Sequence, residues 1–231
     1  MDSKNISNTG QARIFKNGFL ESLSKTRPWV IYTIYVPLCS YMLYHSYAYL
    51  NFSPGLIAGL FFIAMLSWTL FEYAVHRYLF HWVAETERGK RLVYIFHGNH
   101  HEYPKDKERL FMPPVPSLMI GVLVFTLFSG LSFLFAGTGN YAFIYFPGFV
   151  IGYLVYVSMH YAIHTMAPPK AMKGLWRNHY LHHYKYPEKG FGVSTPIWDK
   201  VFGTSPEPET KVPESKIKEL VSGSGVHQKI A

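Results

Sequence analysis

Four long apolar stretches alternate with strongly polar ones along this chain. They run over about residues 29–50, 55–75, 115–136 and 141–159. Each comes close to the roughly 20 apolar residues that carry a helix across a bilayer at ~1.5 Å per residue. Pro147 and Gly148 interrupt the fourth near its start, where proline is tolerated if neighbours satisfy the freed carbonyl. The connections 51–54 and 137–140 are short and carry no charge, so the stretches pair as two hairpins. Residues 11–25 set Ile14, Phe15, Phe19 and Leu23 on one helical stripe, which fits an interfacial helix and equally a solvated arm. Residues 171–185 read as an amphipathic helix. No cleavable signal peptide is expected, because the first 28 residues are polar and the first apolar run is long enough to span. Prolines and a Ser-Gly-Ser-Gly stretch after residue 204 suggest a loosely ordered end. The pattern predicts an all-α membrane protein. An arm (1–28) leads into a four-span domain (29–204) with a cytoplasmic helical cap, followed by a tail (205–231).

Charge orients this scheme. The 22 Lys and Arg residues all fall in the arm, in segment 76–114, or after His164, regions that lie on one side of a double hairpin. The positive-inside rule makes that side cytoplasmic, with both termini. Tyr44, Tyr47, Tyr49, Tyr141 and Tyr145 gather near the short loops, as an aromatic belt at the far interface would. The net charge of +8 is read as attraction to anionic lipid headgroups, with nucleic acid not expected. The single Cys39 allows no internal disulfide and no cysteine-built zinc or iron–sulfur site, and reactive chemistry is not expected of a thiol in an apolar run.

The candidate chemistry lies in histidine. Ten of the 12 histidines form four clusters: His76 and His81; His97, His100 and His101; His160 and His164; His179, His182 and His183. His45 and His227 stand outside them. Residues three and four apart share a helix face, so each of the last three clusters can aim its rings at one point. His76 and His81, five apart, lie about 140° around a straight helix; either the helix breaks between them or they serve different ions. Neutral imidazole suits iron, zinc, copper and nickel, and ten rings exceed the needs of one ion, which predicts a two-metal site. All ten fall at the cytoplasmic membrane face, where such a centre would cap a cavity open to lipid. Glu72, an ionisable residue at membrane depth, could accept a ligand's second N–H or pair with Arg77. Asp106, Glu188 and Asp199 are the carboxylates that could offset the metals' charge. Oxidation would favour iron, because zinc has no redox chemistry. A metal transporter would place ligands near the midplane and often shows inverted repeats, unlike this chain. A non-catalytic lipid- or metal-binding protein stays open.

At these residues the chain resembles the membrane fatty acid hydroxylases of the sterol desaturase/fatty acid hydroxylase superfamily, most closely the fatty acid 2-hydroxylase subgroup. The similarity runs from about Phe71 to Thr204, through FEYAVHRYLFH, HGNHHEYPKDKERLFMPPVPS, GYLVYVSMHYAIH and NHYLHHYKYPEKGFGVSTPIWDKVFGT. The histidine spacing and the GFG…WDKVFGT block belong to the whole superfamily, whereas HHEYPKDKERLFMPP is subgroup-specific. The resemblance implies that the ten histidines hold two irons, with zinc able to replace iron on isolation. It also implies that O2 is activated there and that a hydroxyl is placed at carbon 2 of a very long acyl chain, as in ceramide. A sterol or carotenoid substrate is the alternative for the same centre. The subgroup usually has Asp where this chain has Val157, and many relatives carry an N-terminal cytochrome b5 domain that is absent here. Electrons are therefore expected from a separate cytochrome b5-like or ferredoxin-like donor with its reductase. The expected location is the ER membrane in a eukaryote or the cytoplasmic membrane in a bacterium.

Overall fold

The computed structural model describes residues 6–207, so His227 and nearly all of the expected tail lie outside the described residues. Among the described residues the regular structure is entirely helical. A short α1 (Gly18–Leu23) precedes α2 (Pro28–Ala48) and α3 (Pro54–Ala74), and α3 runs on as a π-helical turn, Val75–Phe80. The chain continues with α4 (Glu87–Val93), a second π segment (Tyr94–Gly98) and α5 (Asn99–Glu102). The chain then forms α6 (Pro114–Ala136), α7 (Ala142–Thr165), α8 (Lys173–Tyr184) and α9 (Ile197–Val201).

All four apolar stretches become helices, within a few residues of the expected ends except at the end of α7. Three are long and apolar enough to cross a membrane: Pro54–Phe80, Pro114–Ala136 and Ala142–Thr165. The remaining helix, α2, has 21 residues but is more polar, with Tyr32, Tyr35, Tyr41, Tyr44, Tyr47 and His45 along it. Pro28, Pro54 and Pro114 each sit in a first turn, where the missing N–H costs nothing and the fixed φ suits the helix. Gly137, left-handed at φ 70°, stops α6. Helix α7 continues unbroken through Pro147 and reaches Thr165, so it carries His160 and His164 out of the apolar zone.

Helix α7 is the axis of the bundle. Its residues Phe146, Val150, Leu154 and Val157 pack against Ile31, Tyr35, Cys39 and Met42 of α2, two stripes at helical spacing that bury each other. Against α3 the fit depends on small residues. A Cβ at Gly148 would meet the Phe61 carbonyl and lie 2.9 Å from Ala64 Cβ, and one at Gly152 would lie 2.5 Å from Trp68 Cβ. These glycines let two backbones touch, as is common between membrane helices. Polar groups then fix the register. Tyr35 Oη donates to the Ser117 carbonyl at 2.8 Å, and Tyr145 Oη donates to Ser67 Oγ at 2.9 Å. The outward face of α6 keeps Leu123, Phe133, Leu134 and Phe135 exposed, an arrangement suited to lipid.

The arm departs from the expected stripe. Only Gly18–Leu23 is helical, capped by Asn17, whose side chain accepts from the Phe19 and Leu20 amides. Glu21 takes the Ile14 and Phe15 N–H groups, and Arg91 donates to the Ile14 carbonyl. With those backbone groups satisfied by side chains, residues 14–15 need no helix. The stripe therefore divides: Ile14 is buried, whereas Phe19 and Leu23 are exposed.

Candidate metal centre

Four elements deliver the ten clustered histidines to one place. His76 and His81 come from the π turn that ends α3, and His97, His100 and His101 from the second π segment and α5. His160 and His164 come from α7, and His179, His182 and His183 from α8. They sort into two groups of five, in each of which one ring nitrogen per residue lies within 4.8 Å of all the others. The first group is His76, His81, His97, His101 and His182; the second is His100, His160, His164, His179 and His183. The rings of His101 and His183, one from each group, stack at 4.2 Å.

Two spacings resolve differently from the sequence expectation. The triplets do not each aim at one point. Pairs four apart (His97/His101 and His179/His183) stay together, while the residue between them, His100 or His182, turns into the other group. His76 and His81 do join the same group; the helix ends between them, at Phe80, but it does so by widening rather than by breaking. A π turn bonds residue i+5 to residue i, seen in the 3.2 Å bond from His81 N to the His76 carbonyl, and this brings residues five apart onto one side. His45 belongs to neither group; it stacks on Tyr49 and Phe143 beside the short loops.

The contacts fit metal better than hydrogen bonding. His97 Nε2 lies 3.0 Å from His76 Nε2 and 2.9 Å from His101 Nε2. In the second group His164 Nε2 lies 3.2 Å from His160 Nε2 and 2.9 Å from His179 Nε2, and His183 Nε2 lies 3.1 Å from His100 and His179. One N–H can serve one such neighbour, so the remaining lone pairs would repel. Nitrogens around a shared ion at about 2.0–2.1 Å would stand about 2.9–3.4 Å apart, the range found here. Burial, reinforced by neighbouring imidazoles, pushes His97, His100, His101, His179, His182 and His183 well below the ordinary histidine range. The rings are thus neutral, the form that binds metal.

Among the described residues, none of the four carboxylates singled out in sequence hydrogen-bonds an imidazole. Glu72 accepts from the Val193 and Ser194 amides at 2.7 and 2.8 Å and from the Ser194 hydroxyl. Arg77 bonds the Tyr73 hydroxyl and not Glu72. Asp199 accepts from the Phe191 and Gly192 amides at 2.9 and 2.8 Å and from Thr204 Oγ1. Asp106 pairs with the buried Arg109, which also binds Glu21 and so ties residues 18–23 to the segment after α5. Glu188 is exposed. The groups that do reach an imidazole are backbone carbonyls. His76 Nδ1 donates to Phe191 O at 2.6 Å and His182 Nδ1 to Lys189 O at 2.8 Å. Residue type could not announce a carbonyl.

Next to the centre lies a cavity of about 650 Å³. His97, His100 and His160 line it, and the rest of the wall is mostly apolar, with Trp68, Phe149, Tyr153 and Val157 from α3 and α7 and Ile14 and Phe15 from the arm. Val157, where a carboxylate was expected, faces this cavity.

Comparison with known proteins follows the same outline. The model of the family described as "Fatty acid hydroxylase" matches residues 61–204. The chain is 36% identical over 212 residues to the ceramide very long chain fatty acid hydroxylase SCS7 of Saccharomyces cerevisiae, covering 90% of this chain and 53% of that protein. It thus spans about half the length of that relative. It is 36% identical over 197 residues to the dihydroceramide fatty acyl 2-hydroxylase FAH2 of Arabidopsis thaliana, covering 84% of this chain and 80% of that one. A solved structure described as full-length scs7p, with only the hydroxylase domain visible, superposes with a TM-score of 0.75 at 36% identity, covering 87% of this chain and 74% of that chain.

Proposed function

The chain belongs to the fatty acid hydroxylase family, and on that premise we propose that it is a membrane dimetal monooxygenase that hydroxylates carbon 2 of a very-long-chain fatty acyl group, as in ceramide. The observation that carries the reading is the junction of two five-histidine groups with an apolar cavity of about 650 Å³. The names of the yeast and plant relatives supply the acyl substrate and the carbon position.

The ten histidines are the ligands, five to each ion. Iron is the native metal, and zinc on isolation would be unsurprising, since nitrogen sites rank zinc above ferrous iron. When bound, the metals supply O2 activation strong enough to attack an unactivated C–H bond, which offers neither an acidic proton nor an electrophilic carbon. The residues of this chain do the rest. His97, His100 and His160 bring the centre to the wall of the cavity, the aromatic and aliphatic walls hold an acyl chain and exclude water, and Ile14 and Phe15 add to the wall from the arm. The acyl chain's polar end stays near the headgroups.

In the membrane, α2 serves as a fourth span beside the three more apolar helices, with arm (1–28), hydroxylase domain (29–204) and tail (205–231) as the organisation. Both termini and the basic cap face the cytoplasm, in the ER membrane of a eukaryote or the cytoplasmic membrane of a bacterium. That face docks an acidic cytochrome b5-like or ferredoxin-like donor, itself served by a reductase. The test is incubation with isotope-labelled O2, a reductant with its carrier, and very-long-chain ceramide or fatty acid, read by mass spectrometry. Label in a hydroxyl at carbon 2 is expected. Label in a sterol or carotenoid would move the chain to a sister subgroup, and no label with two irons bound would refute the enzyme reading.

A further inference from the structure

The two histidine groups differ in what stands behind them. In the first, His76 and His182 arrive from different helices, yet both hand their Nδ1–H to one short loop, through Phe191 O at 2.6 Å and Lys189 O at 2.8 Å. A carbonyl oxygen can only accept, so the proton of each neutral ring is on Nδ1 and the lone pair on Nε2. His76 Nε2 points at His97, and His182 Nε2 is buried without a hydrogen-bond partner. In the second group, His179 and His183 have buried Nδ1 atoms with no hydrogen-bond partner at all.

The loop itself is held rigidly. Glu72 grips the Val193 and Ser194 amides from α3, and Asp199 grips those of Phe191 and Gly192 from α9. Gly190 has φ +74° and donates its N–H to Thr204 O at 2.8 Å. A Cβ at Gly192 would meet the Thr195 carbonyl and lie 2.9 Å from Asp199 Oδ2. The two glycines are therefore the residues that let the loop fold tightly enough to present both flanking carbonyls.

We propose that the 189–194 loop, pinned by Glu72 and Asp199, is a tautomer clamp for His76 and His182, and that it makes the two groups unequal metal sites: a preorganised first site that holds its ion tightly, and a second site from which the ion exchanges readily. This rests on the reading of the histidine groups as metal sites. Glu72 and Asp199 are positioning residues, acting on the ligands through the backbone between. Loss of such support behind a ligand weakens metal binding by about 10–100-fold.

The experiment uses the purified chain, stripped and reloaded with zinc, then equilibrated against a chelator series, with zinc per chain read by elemental analysis. The wild type should release zinc in two steps, with His182→Ala removing the tight step and His179→Ala the loose one. Glu72→Ala should move the tight step by about 10–100-fold and leave the loose step in place. The retained loose zinc is the internal check that the protein is folded. Glu72→Gln, whose amide oxygen still accepts from both backbone amides, should restore the tight step. Should Glu72→Ala hold no zinc, Ser194→Ala, which deletes one contact to Glu72, decides: selective weakening of the tight step supports the clamp, and equal or no weakening overturns it. Two equally held zincs in the wild type, or a Gln variant as poor as Ala, overturn the inference and leave the dimetal reading intact. A folded wild type that binds no zinc removes both.

Discussion

The contact between α3 and α7 should tolerate no side chain at Gly152. A Cβ there would lie 2.5 Å from Trp68 Cβ and 3.0 Å from the Met65 carbonyl oxygen. Neither atom can rotate away, one being backbone and the other the root of its side chain. Restoring an ordinary carbon–carbon separation of about 3.5 Å requires the helices to part by about 1 Å. Overpacking of this kind costs about 1–3 kcal/mol, and the rigid partners place Gly152→Ala at the upper end. Better helix propensity returns at most about 1 kcal/mol, so the net loss is about 2 kcal/mol. The movement also reaches the histidines. Helix α3 leads into His76 of the first group, α7 carries His160 and His164 of the second, and α8 serves both. A displacement of about 1 Å far exceeds the ~0.2 Å latitude of a metal–ligand distance. Thermal unfolding in detergent, followed together with zinc per chain, measures both effects. Gly59→Ala is the control, on the same α3 but with nothing within 4 Å of its added Cβ, and should be neutral or slightly stabilising. If Gly152→Ala melts with the Gly59→Ala variant and keeps two zincs, the close-approach reasoning is wrong.

Other outcomes follow from the site and the arm. Acid should release metal and lower stability: the folded-state pKa values of histidines such as His97 and His182 are depressed, so the unfolded chain takes protons first, and stability present above about pH 6.5 is lost as pH falls. The slope is ~1.4 kcal/mol per pH unit for each ring involved; a melting temperature flat from pH 8 to 5 would contradict it. His101→Ala or His183→Ala should abolish hydroxylation and reduce bound metal, whereas His45→Ala should retain both, by product mass spectrometry and elemental analysis. Arg109→Met leaves the buried Asp106 unpaired and frees Glu21, a loss of about 3–5 kcal/mol, and should expose the arm to protease in limited digestion.

Apolar run length was enough to locate the four long helices, because period and extent are local properties of sequence. The ten histidines were legible as a set for the same reason, their spacings being local. What could not be read was their partition. A triplet such as His97–His100–His101 presents two faces, and which face meets which neighbour depends on α7 and α8, far away in sequence. The carboxylates show the same limit. Glu72 was expected to meet an imidazole N–H or Arg77, but its partners, the amides of residues 193 and 194, lie more than 120 positions away and carry no side-chain signature. The two readings of the arm could not be separated in sequence for a physical reason: its apolar positions keep helical spacing, yet Glu21 and Arg91 satisfy the backbone at residues 14–15 without a helix.

The widened turns at Val75–Phe80 and Tyr94–Gly98 also constrain how the chain can change length. A π turn amounts to one residue inserted into an α-helix. Deleting any single residue between His76 and His81 would place them four apart, and relaxation of the turn to α geometry would keep them on one face. His81 would then stay with its group and the chain beyond would keep its direction, so the widened turn is a place where the loss of one residue is absorbed. The same one-codon deletion in the α-helical part of α3, at exposed Phe62 or Ile63, has no such outlet: it would turn His76 and His81 by about 100° relative to α7 and break up their group.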